Sequence, residues 1–291
     1  MKFLILIAVL CVVSAQCSED CSKVKCPPAP KHYEEFGCTP IVESGKCCPA
    51  RFDCSSLENR DKTKCHYNNE TYELNQEVKD QSIQSSCTIG CVCRQFPEDS
   101  PPHFECGHID CPEFFVNDDE HSGKECIEQY ENDSCCASKT VCGADLLKLD
   151  KCVFQGQTYY EGQSIDAEGS CYSCHCGKGF EDKPVEENKH CKKINCNIEI
   201  HYSGRFARGC VPIYWKTDSC CPIDWRCPDD KKTKVIADSS RTQKEGDADL
   251  QCTFGGLKMN LGDFLSPERD DDQCTICTCK VPPFPHCIKT C

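Results

Sequence analysis

Along most of the chain apolar residues come singly or in pairs between polar ones, and the longest unbroken apolar run is residues 3–13. Thr71-Tyr72-Glu73-Leu74 and Tyr159-Tyr160 have the β-branched and aromatic content of short strands, and Gly162 suits the turn after one. Ile198, Ile200 and Tyr202 alternate with Glu199 and His201, which predicts a half-buried strand. Gly204 would then turn the chain back toward Val211, Ile213 and Trp215. No segment carries a sustained apolar period of about 3.6 residues. The pattern predicts small, β-rich, loop-heavy modules with little helix.

Composition sharpens this. Cysteine supplies 34 of 291 residues, and only about a quarter of the chain is otherwise hydrophobic. A cysteine content above roughly 8–10% marks a disulfide scaffold in a secreted chain. So thin an apolar complement argues against a large layered enzyme domain. The net charge of −14 argues against an electrostatic grip on nucleic acid or anionic lipid.

Residues 1–15 (MKFLILIAVLCVVSA) place Lys2 before the apolar run and small residues at Val13-Ser14-Ala15, the form of a signal peptide cleaved between Ala15 and Gln16. The run is too short to span a bilayer, and no second candidate span follows. The mature chain is therefore expected to be secreted and extracellular, with 33 cysteines oxidised by default. Asn69 and Asn132 head glycosylation sequons, the latter three residues before Cys135.

The cysteines repeat. From Cys65 they fall at 65, 87, 91, 93, 106, 111, 126, 135, 136 and 142; from Cys152 they fall at 152, 171, 174, 176, 191, 196, 210, 220, 221 and 227. Tyr67 aligns with Phe154, and Thr71-Tyr72 with Thr158-Tyr159. Cys21, Cys26, Cys38, Cys47, Cys48 and Cys54 repeat the last six positions, and Cys252, Cys274, Cys277, Cys279, Cys287 and Cys291 the first six. The chain thus divides into a second-half repeat (17–54), full repeats at 65–142 and 152–227, and a first-half repeat (252–291). Residues 55–64, 143–151 and especially 228–251 read as polar linkers, giving beads on a string with limited contact between neighbours. A reduced chain is not expected to hold its fold, because about 78 residues with a thin core must otherwise meet a large ordering entropy.

Cys171-Tyr172-Ser173-Cys174-His175-Cys176 and Cys220-Cys221-Pro222-Ile223-Asp224-Trp225-Arg226-Cys227 resemble the two cysteine motifs of the von Willebrand factor type C domain. The first full repeat departs from them, with three residues between Cys87 and Cys91 and Ala137 in place of proline. The resemblance implies a β-rich first half, a cross-link-dependent second half and a definite pairing. Carried over, it gives Cys65–Cys93, Cys87–Cys135, Cys91–Cys106, Cys111–Cys136 and Cys126–Cys142 in one repeat. The other has Cys152–Cys176, Cys171–Cys220, Cys174–Cys191, Cys196–Cys221 and Cys210–Cys227. In the half-repeats it gives Cys26–Cys48, Cys38–Cys54, Cys252–Cys279 and Cys277–Cys287.

Cys17, Cys21, Cys47, Cys274 and Cys291 are left without family partners. Three readings stand: the chain is part of a longer product, its terminal halves dock within or between molecules, or a cysteine links copies into a disulfide-bonded oligomer. Cys174-His175-Cys176 has zinc-ligand types, but oxidised cysteines bind no zinc. The acidic runs 118–120 and 270–272 lack the alternating ligands of a calcium loop and read as solvated faces. No catalytic motif is found, so no enzyme, cofactor or metal is expected. Tyr214, Trp215 and Trp225 are read first as mini-core and second as interface.

The resemblance extends to chordin-like and kielin-like extracellular proteins, and implies a secreted modulator of bone morphogenetic proteins and related dimeric growth factors. Its contact surfaces would be residues 67–74 and 154–165. The alternative is a structural or secreted-fluid protein, of matrix, gel, saliva or venom type, cross-linked by disulfides.

Overall fold

A computed structural model describes residues 21–26, 29–78, 87–115, 124–131, 134–167, 169–216, 219–229, 231–244, 246–268 and 274–291. The chain is strand-rich, with about 15% helix and sixteen cysteine pairs at disulfide distance. These are small disulfide-rich β modules, as the apolar pattern and composition predict.

The described part of the N-terminal half-repeat contains a short 3-10 turn at Cys21–Lys23, the α-helix α1 (Lys31–Glu35), and a hairpin of β1 (Thr39–Ile41) and β2 (Arg51–Asp53). After α2 (Ser55–Glu58), the first full repeat forms three antiparallel pairs. These are β3 (Cys65–Tyr67) with β4 (Glu70–Tyr72), β5 (Thr88–Arg94) with β6 (His103–His108), and β7 (Cys126–Gln129) with β8 (Lys139–Cys142).

The second repeat opens with the hairpin of β9 (Lys151–Phe154) and β10 (Gln157–Tyr160). It continues with a sheet of β11 (Ser164–Ala167), β12 (Tyr172–His175) and β13 (Cys191–Lys193). Two short helices follow, α3 (Ile198–His201) and α4 (Ser203–Ala207), and then β14 (Val211–Trp215) with β15 (Asp224–Arg226). Beyond β16 (Val235–Ile236) lies the C-terminal half-repeat: β17 (Gln251–Phe254), β18 (Leu257–Asn260), β19 (Phe264–Leu265), β20 (Thr275–Thr278) and β21 (His286–Lys289).

The repeat is visible in the backbone as well as in the cysteines. Ten residues after the first cysteine of each first half stand Asn75, Gly162 and Gly262, all with positive φ. Their amides donate to Cys93, Cys176 and Cys279 respectively, which closes the same turn three times. In the second halves, α1 and α4 each end at a positive-φ glycine, Gly37 or Gly209, directly before Cys38 or Cys210.

Two expectations change. Residues 198–202 are not a strand. The chain turns through Asn197 at φ 46° into α3, and Gly204 lies inside α4. Residues two apart on a helix are about 200° apart, so Ile198 and Ile200 still face opposite ways. Ile198 enters a core with Tyr33, Phe36 and Trp225, and Ile200 enters one with Cys65, Tyr67 and Phe104. The alternation is real, but each face meets a different module.

The second change concerns contact between modules, which is extensive. β14 pairs in parallel with β21, and Val211 and Ile213 share a core with Phe254, Met259 and Leu265. The Phe52 amide donates to Pro282 O at 2.9 Å, and the Tyr33 hydroxyl donates to Val281 O at 2.8 Å. The terminal halves therefore abut within one molecule. Nor does 228–251 hang free, since β16 pairs with β19 and the Asp238 amide donates to Asp263 Oδ1. Linker polarity is a poor guide because backbone pairing, side-chain hydrogen bonds and the packing of Val235 against the neighbouring core hold this segment down.

Candidate binding surfaces and the disulfide frame

The fourteen pairs implied by the family resemblance are all at bonding distance in the structure. Two more join cysteines for which that pairing offered no partner, Cys21–Cys47 and Cys274–Cys291. In a full repeat one bond, Cys87–Cys135 or Cys171–Cys220, ties the first half to the second. Each terminal half closes that position locally instead: Cys21 stands in for the missing first-half cysteine and Cys291 for the missing second-half one. Every described cysteine is paired, and no described bond joins one repeat or half-repeat to another. Cys17 lies outside the described residues, as do Ala15, Gln16, Asn132 and both acidic runs.

Cys111, Cys135 and Cys136 bring their sulfurs within 4.8 Å of one another. All three are in disulfides, so none is a thiolate for a metal. Cys174 and Cys176 are likewise bonded, to Cys191 and Cys152.

The two surfaces expected from the resemblance are differently placed. In the first repeat Tyr67 and Tyr72 turn inward, while Asn69, Glu70, Thr71 and Leu74 are exposed. The tip of this hairpin is partly taken by the second repeat. The Asn68 amide donates to Glu199 Oε2 at 3.0 Å, and Glu199 pairs with Arg60 at 2.5 Å. A cavity of about 390 Å³ opens beside it, floored by Tyr67, Asn68, Ile194 and Ile198 and edged by Lys193 and Glu34.

In the second repeat Phe154 and Ile165 are core, and Val153, Gln155, Gln157 and Thr158 are open to solvent. Val153 is 52% exposed on β9. The contact with the first repeat falls at the far end of this region, where the Tyr130 amide donates to Gly162 O. The β9–β10 face is the freer of the two.

Tyr214 and Trp225 are buried, and Trp215 is 41% exposed at the end of β14. The core reading thus holds for two of the three aromatics. Sequence reasoning missed the cluster around Tyr214. Its hydroxyl accepts the His32 amide at 3.2 Å and lies 3.1 Å from His32 Nδ1. Burial, with a smaller effect of His286 nearby, pulls the His32 imidazole down to about 3. Burial, with a smaller effect of Lys280, pulls His286 to about 4. A second cavity, of about 470 Å³, lies between the half-repeat and the two full repeats over Phe36, Leu57, Phe206 and Phe284.

Among the described residues no helix is long and apolar enough to cross a membrane. Compared with protein-family models, with curated proteins and with solved structures, the chain matches none.

Proposed function

We propose that this is a secreted binding protein that engages a dimeric growth factor of the bone morphogenetic protein class and limits its access to receptors. The observation that carries the reading is the β9–β10 hairpin, a solvent-facing edge with Val153 at its centre on a frame held by disulfides. The resemblance of the cysteine motifs to the von Willebrand factor type C domain supplies the ligand class. An exposed apolar side chain among polar neighbours is suited to anchor an interface without chemistry. Repeated modules on one chain add to this, because a second contact with a dimeric ligand is intramolecular.

The test is a binding screen of the purified full chain against immobilised growth-factor dimers. Binding is expected, and Val153→Glu should weaken it at least tenfold while leaving the disulfide map intact. No binding to any dimer, or undiminished binding by the variant, overturns the assignment. The second reading, a cross-linked structural or fluid protein, is favoured by parity: all 32 described cysteines are paired, which leaves Cys17 over once Cys11 leaves with the signal peptide. A Cys17-linked dimer without reductant, together with no ligand binding, would support it.

A further inference from the structure

Among the described residues the N-terminal half-repeat is joined covalently to the rest of the molecule only by the backbone after Cys54, since its three disulfides are internal. Everything else that seats it is non-covalent, and much of that converges on α1. Tyr33 stacks on Phe52 and on Phe284, and the Phe284 amide donates to the Tyr33 hydroxyl at 2.9 Å. Beside it, the His32 ring lies nearly parallel to Tyr214, with centroids 6.0 Å apart, and is 1% exposed. Its Nε2 is buried with no hydrogen-bond partner.

We propose that this junction is an acid-sensitive latch: protonation of His32 releases the N-terminal half-repeat from β14 and the C-terminal segment while every disulfide stays intact.

The groups that face His32 decide the sign. On its own helix are Tyr33 and Glu35; across from it are Tyr214 on β14 and His286 on β21, with Lys280 bearing on His286. No carboxylate hydrogen-bonds the His32 ring among the described residues. Glu35 instead accepts the amides of Cys196 and Ile198. A cation formed here has lost its water and has the His286 imidazole as its charged neighbour.

His32 titrates at about 3 when docked and near 6.5 when free, so the undocked state binds more protons between those values. Docking is therefore fully stable above about 6.5 and weakens as pH falls toward 3. From pH 7 to pH 5 the docking equilibrium drops about 25-fold through His32 alone. His286 acts in the same direction. Glu35 opposes it at lower pH, because burial raises its carboxyl above the ordinary range and it takes up its proton more readily when docked.

Hydrogen exchange of the full chain reads the latch directly. The Phe52 and Phe284 amides bond across the junction, whereas the Val78 amide bonds to Cys91 O inside the first repeat. Referred to the unstructured rate at each pH, protection at Phe52 and Phe284 should fall at least about 25-fold from pH 7 to pH 5, with Val78 unchanged. In His32→Phe the fall should be about 25-fold smaller. If that variant seats poorly, its protection is low at both pH values, but its pH dependence remains the deciding quantity. Equal protection at pH 7 and pH 5 in the parent chain, or a fall as steep in His32→Phe, overturns the proposal.

Discussion

Glu199 shows what a single residue does in a protein with so little core. It is 7% exposed, accepts the Asn68 amide, and pairs with Arg60 from the segment between the half-repeat and the first repeat. One carboxylate thus holds together three parts of the chain. Glu199→Gln keeps the shape but removes the charge that satisfies a largely buried guanidinium. The expected loss is about 1.5–3 kcal/mol, read as a lower midpoint in chemical denaturation. Neither this residue nor His32 was legible in the sequence. Their partners lie 139 and 182 positions away, and nothing in the local pattern marks a buried charge or a buried imidazole. The aromatics near the third cysteine doublet were more readable, because a tyrosine or tryptophan beside a disulfide has few ways to leave water except against it.

At the level of elements, Gly162 was legible as a turn, whereas Gly204 and the apolar alternation before it were not, since both fall in short helices. Gly162 reads as a turn residue and adopts φ +85°. The structure adds a second demand, since a Cβ there would lie 2.8 Å from Gln129 Cβ in the preceding repeat. Gly156 also has positive φ, +80°, but nothing lies within 4 Å of its missing Cβ. Alanine at Gly156 should cost about 1 kcal/mol of backbone strain alone. At Gly162 the same change should cost distinctly more and loosen the seam between the repeats, and thermal melts of the two variants side by side give the comparison. The alternation at 198–202 misled because a one-turn helix between two modules buries both faces. Periodicity reports which residues are buried, not which neighbour buries them.

For the whole molecule, sulfur replaces hydrophobic mass. Among the described residues the apolar interior is four small cores of seven to nine buried residues each, several of them cysteines. Sixteen cross-links, each contributing roughly 2–4 kcal/mol chiefly by restricting the unfolded chain, stand where a continuous core would. Full reduction under native buffer is expected to abolish near-UV circular dichroism without denaturant. A cooperative transition surviving reduction would contradict this. The covalent frame was legible because cysteine spacing carries both register and repeat number. The seating of module on module was not, because it rests on hydrogen bonds, ring contacts and small shared apolar cores between segments with no shared sequence signature.

The locality of that frame also bears on how the chain is made. No described bond spans more than 49 residues, and the shortest spans 10. For a chain oxidised as it is made, at about 5–20 residues per second each set of partners emerges within seconds of one another. An oxidase can therefore seal one unit before the next has been translated, and a mispaired sulfur competes with a handful of neighbours rather than with thirty. Scrambling, when it occurs, should be confined to one unit and repaired there.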